Sequence, residues 1–78
     1  MQEISSRIRK DIDLFQESVA KMGSVELAGT EKAVYDLAVD YRNDAEAWLE
    51  KGDLYTAFAS ISYAHGLMDA LIKIKIKA

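Results

Sequence analysis

The chain has 78 residues, no cysteine and no proline, with 29% charged residues and a net charge of −3. A single domain of this size buries only about 60% of its unfolded surface; with disulfides and thiolate metal sites excluded, a partner subunit is the support left for so small a core. Residues 23–52 hold seven acidic against three basic side chains, and the last 26 residues gather Lys73, Lys75 and Lys77 at their end, which is not the broad basic footprint of a nucleic-acid binder.

The N-terminal MQEISSRIRK is polar and does not read as a secretory signal, and the lack of cysteine fits a reducing cytoplasm. Ile4, Ile8, Ile12, Phe15, Val19 and Met22 recur at steps of three and four, which predicts an amphipathic helix over about 2–22. Gly23 is placed to end it as a left-handed C-cap, and GSVELAG (23–29) reads as a connection.

A second helix is expected over about 30–51, with Thr30 as N-cap, Glu31 near its positive end, and a stripe of Val34, Leu37, Ala38, Tyr41, Ala45 and Trp48. Lys51 and Gly52 close it, and Asp53 caps the next helix at once, so helices two and three should form an antiparallel hairpin. The third helix runs over about 53–74. The tail IKIKIKA alternates like a strand but has nothing to pair with, so it reads as frayed helix with lysines at the negative helix end. The expected fold is one all-α domain over residues 1–78, an up-down three-helix bundle.

Helix three is unusual. From Leu54 to Leu71 its only charged residue is Asp69. At about 100° per residue, Leu54, Ala57, Phe58, Ile61, Met68 and Ile72 share a face with His65, and that face should meet the other helices. The opposite face carries Ala59, Tyr63, Leu67, Ala70 and Ile74 where water would favour polar residues. Thr56, Ser60, Ser62, His65, Gly66 and Asp69 interrupt the run too often for a membrane span. A helix apolar all round is buried all round. Tyr63, Leu67, Ala70 and Ile74 are therefore the candidate interaction surface, for a second copy or for another protein, and symmetric self-association is the simpler assumption.

The stretch YRNDAEAWLEKGDLYTAFASISYAHGLMDAL resembles the signature of a small all-helical archaeal family, the domain of unknown function 357. The matching positions are Tyr41, Asp44, Ala45, Gly52, Asp53 and Ala57, followed by Tyr63, Ala64, Gly66, Asp69 and Ala70. The resemblance implies a helical bundle from an archaeal proteome and supplies no activity. A weaker likeness is to helical bundles of the HEPN type, whose ribonucleases place an arginine four to six residues before a histidine. No arginine precedes His65 at that spacing.

The candidate chemistry is sparse. Asp69, one turn after His65, could orient it as a general base, and Asp44, at the rim of the second stripe, could bond Tyr63, His65 or a backbone group. Asp44, His65 and Asp69 form the possible polar site. Asp36, Asp40 and Asp44 recur every four residues, but Asp36 and Asp40 read as a solvated face rather than part of a cation site. Gly66, inside a helix, suggests the close approach of another helix. The sequence points to no metal, cofactor or catalytic set, and to a non-enzymatic assembly module that dimerises through its third helix. The alternative is a degenerate HEPN-like nucleotide- or nucleic-acid-binding bundle, with His65 and Asp69 at its centre and Lys73, Lys75 and Lys77 on phosphates.

Overall fold

A computed structural model describes residues 2–76; Lys77, named above with the tail lysines, lies outside them. The described residues form three helices, α1 (Gln2–Lys21), α2 (Thr30–Lys51) and α3 (Leu54–Lys75), packed as a helical bundle without strands. The tail through Lys75 is helical, as its lysines at the helix end predict.

Two of the four expected helix caps are built differently. At the end of α1 the amides of Met22 and Gly23 reach back to Val19 O (3.0 Å) and Ala20 O (3.1 Å) in tightened turns. These bonds satisfy the terminal carbonyls without a left-handed residue, and Gly23 does not have positive φ. Its glycine answers to crowding instead, since a Cβ would come within 3.2 Å of Ala20 O. At the start of α2 the cap is Gly29 rather than Thr30. Gly29 sits at φ 53°, ψ −119° and its carbonyl accepts from Ala33 N at 3.2 Å. Glu31 reaches back to accept from Ala28 N at 3.4 Å, but no side chain caps the first turn, so the bond expected from Thr30 is absent.

The α2–α3 connection is as the sequence predicts. Gly52 adopts the left-handed conformation (φ 87°), its N–H meets Leu49 O at 3.1 Å, and the Asp53 N–H meets Trp48 O at 3.0 Å. Asp53 accepts from Thr56 N at 3.0 Å while the Thr56 hydroxyl donates to its other oxygen at 2.8 Å. At the far end of the pair, Lys75 of α3 meets Glu31 of α2 at 3.0 Å, so the two helices lie alongside each other over their whole length.

The core is contributed unequally. α1 supplies large side chains, with Ile8, Ile12 and Phe15 fully buried, and α3 supplies Ile61 and Met68. Ala38 and Ala45 of α2 and Ala57 and Ala64 of α3 are also fully buried, and small side chains let helix backbones approach closely. No polar or charged residue is buried among the described residues. Four residues read from the sequence as core are exposed: Ile4, Leu37, Trp48 (37% accessible) and Phe58 (43%). Periodicity identifies a helix's apolar side, but its width exceeds what two neighbouring helices cover here.

Asp53 holds a helix end with two bonds, so Asp53→Ala should lower unfolding free energy by about 1 kcal/mol. Phe15→Ala, which empties the centre of the core, should cost about 3–5 kcal/mol. Urea unfolding followed by circular dichroism checks both, and equal effects would contradict the division between cap and core.

Candidate functional site

His65, the single histidine, projects from α3 toward α1. Its Nε2 lies 2.8 Å from the carbonyl oxygen of Asp11, and a carbonyl only accepts, so Nε2 carries the proton. The ring of Phe15 packs edge-on against it at 5.7 Å and 85°. His65 thus ties α1 to α3. Asp44 and Asp69 are exposed and make no hydrogen bond or ion pair among the described residues. The structure therefore does not join His65, Asp69 and Asp44 by any hydrogen bond. On the acidic face of α2, Asp36 pairs with Lys32 at 3.1 Å, and no group of three or more His, Cys, Asp or Glu side chains among the described residues is arranged to hold a metal ion.

A second polar set lies where α1 meets α2. Glu46 accepts from Arg42 at 2.7 Å and from Arg9 of α1 at 3.4 Å, so one carboxylate holds two guanidinium groups. With His65 and Asp11, this set marks the side of the α2–α3 pair that α1 covers. The Arg9–Glu46 pair, which is the one that reaches α1, is exposed, and such pairs contribute at most about 1 kcal/mol, so it orients α1 more than it holds it.

The other side of the pair is apolar. Leu67, Ala70 and Ile74 line a shallow groove of about 330 Å³ together with Val34 of α2 and Gly66. Ile74 is 64% accessible and Ala70 is exposed, whereas Leu67 is half-buried at the groove wall. Tyr63 (53% accessible) stands one turn away in an adjoining hollow of about 320 Å³, its ring edge-on to Tyr41 at 4.6 Å. Gly66 proves not to be a point of close approach within the chain, because a Cβ there would meet nothing within 4 Å. A glycine inside a helix costs about 1 kcal/mol relative to alanine, and here no contact in the molecule accounts for it.

The share of α2 in this surface was not apparent from its stripe, where Val34 and Tyr41 read as core. The signal was present in the spacing: at about 100° per residue, Leu37 lies nine positions from Glu46, half a turn from the side that meets α1. A third hollow of about 570 Å³ lies at the opposite end of the molecule, between Ile4 and Arg7 of α1 and Leu54, Tyr55 and Phe58 of α3.

Fold and surface together define a small three-helix bundle with an apolar groove between its second and third helices. The family described as "Protein of unknown function (DUF357)" matches residues 10–76, so the chain belongs to that family. The match extends over α2, α3 and most of α1, well beyond the 41–71 stretch that carries the resemblance most clearly. No curated protein matches the chain. Among the described residues no helix is long and apolar enough to cross a membrane.

Lys75 and the Ala28 amide both donate to Glu31, and they hold its carboxyl below the usual carboxylate range. A depressed folded-state value means stability that is present above the unfolded value, about 4.3, and lost as pH falls through the folded one. Lys75→Gln should therefore unfold at a lower temperature than the wild type near neutrality, with the gap closing in acid. Thermal melts across that window check the sign, and a gap that widens in acid would contradict it.

Proposed function

We propose that this chain is a non-enzymatic assembly module that self-associates through its third helix, covering Tyr63, Leu67, Ala70 and Ile74 with a second copy. The observation that carries the proposal is the apolar groove along α3, open to water and containing a helical glycine with empty space above it. Exposed single apolar residues are ordinary on protein surfaces, but here several lie contiguously along one helix face, which favours an interaction site. A second copy is favoured over a foreign protein because soluble assemblies are mostly symmetric homo-oligomers. A core this small also gains the most from an added layer. Binding is favoured over chemistry because His65 is committed to tethering α1, while Asp44 and Asp69 stand apart from it.

Absolute mass by light scattering, over a range of concentrations, tests this. The wild type should approach twice the 8.7 kDa chain mass. Ile74→Glu, at an exposed position, and Gly66→Leu, which fills the groove, should each return a single-chain mass with helicity unchanged. Leu67→Glu should do the same, although its half-buried position makes it the harsher change. A wild type that stays a single chain at every concentration overturns self-association and directs attention to a foreign protein.

A further inference from the structure

α1 covers only one side of the α2–α3 pair, through Arg9 on Glu46 and Asp11 on His65. Nine residues along a helix make two and a half turns at about 100° per residue, which puts the two positions on opposite sides. Leu37 stands in that relation to Glu46, and Ile74 to His65. Both are exposed, and they fix the direction of the open face. On α2 this face shows large side chains, Leu37 and Trp48, with Asp44 between them. On α3 it shows the small residues Ala59, Gly66 and Ala70, all exposed, between the larger Tyr63 and Ile74. Leu37 and Trp48 of α2 thus have gaps beside small residues of α3 to enter.

Three contacts fix which positions on the two helices lie level. Gly52 and Asp53 join Lys51 to Leu54, Tyr41 packs on Tyr63, and Glu31 pairs with Lys75. A two-fold axis running along the helices preserves those levels and lays α2 of each copy over α3 of the other. Leu37 then faces the gap between Gly66 and Ala70 of the second copy. Trp48 faces the gap between its Tyr55 and Ala59. Asp44 falls between Ala59 and Tyr63, where a tyrosine hydroxyl can donate to it.

Charge favours the same pairing. α2 carries six acidic and three basic residues, whereas α3 carries Asp69 against Lys73 and Lys75. Laying α2 on α3 places an acidic helix on a slightly basic one. The other face-to-face arrangement, α3 on α3 and α2 on α2, would bring Asp40 and Asp44 of both copies together at the centre of the contact, a like-charge cost.

The area is of the right order. Each helix has 22 residues, which at 1.5 Å per residue is about 33 Å, and two helices side by side at 8–10 Å spacing present a face of roughly 600–700 Å². A standard specific interface buries about 800 Å² per partner, and one helix alone would supply roughly half of what is needed.

Resting on the self-association argued above, we infer that two copies close their open α2–α3 faces on each other with α2 of each copy over α3 of the other. The four helices make one shared core, and α1 of each copy lies outside it. The second copy's α2, not its α3, is what covers Tyr63, Gly66, Ala70 and Ile74, and Leu37 and Trp48 join the interface.

The chain has no cysteine, so single cysteines report on this arrangement cleanly. Leu37→Cys and Ala70→Cys chains are mixed and oxidised at a concentration where the mass is that of a dimer. Each chain carries one thiol, so a disulfide between the two variants must cross the interface. That heterodisulfide should form several-fold faster than the heterodisulfide of an Ala59→Cys and Ala70→Cys mixture, whose positions would lie about 16 Å apart along the helix axis. Asp44→Cys with Ala59→Cys repeats the test while keeping both large side chains. If Ala59→Cys and Ala70→Cys link preferentially, α3 lies on α3 and the arrangement is wrong, although self-association through α3 survives. A dimer mass without either of the predicted α2–α3 links overturns the arrangement in the same way. A wild-type mass of one chain overturns both.

Discussion

The Gly52–Asp53 connection is the constraint on which the rest of this structure depends. A left-handed glycine stops α2, and the next residue caps α3, so no slack separates the two helices. They are forced into side-by-side packing, and buried alanines on both let them lie close. The Glu31–Lys75 pair at the other end keeps the same register. α2 and α3 together are therefore a two-helix slab with two sides, and a single further helix can cover only one of them.

From that geometry the unusual composition of α3 follows. Its buried residues, from Ala57 through Leu71, meet α1 and α2, yet Ala59, Gly66, Ala70 and Ile74 are exposed, and Tyr63 is half-exposed where it leans on Tyr41. The same holds for Leu37 and Trp48 on α2. In a self-sufficient three-helix bundle such positions would be polar. Their apolar character, and the empty space over Gly66, are explained if the slab's second side is also covered. A helix on each side of the slab would give α3 apolar neighbours around most of its circumference, which is what its sequence calls for.

Much of this was legible in the residues alone. The three helices follow from periodicity, and the Gly52–Asp53 turn from two residues whose backbone and capping preferences are strong. Other features were not. Gly23 and Gly29 are both plausible helix punctuation, and only the hydrogen bonds around them reveal that Gly29, not Gly23, takes positive φ. Periodicity also put Leu37, Trp48 and Phe58 in the core, because a stripe on a helical wheel does not tell how many neighbours cover it. The pairing of His65 with the Asp11 carbonyl joins residues 54 positions apart and involves a backbone acceptor, which no side-chain pattern encodes. The α3 face was the part of the candidate surface that sequence could supply; its continuation onto α2 needed the direction of α1.

The central claim is that the open α2–α3 face is covered by a second copy. Trp48, the only tryptophan, stands on that face beside Lys51, whose ammonium lies 4.9 Å from its ring. Its emission, followed through serial dilution, reports directly on whether the face is closed. The account predicts blue-shifted emission at high concentration that moves to the red as copies separate, with helical content retained. Emission that stays the same at every concentration, with the mass of one chain throughout, would contradict it.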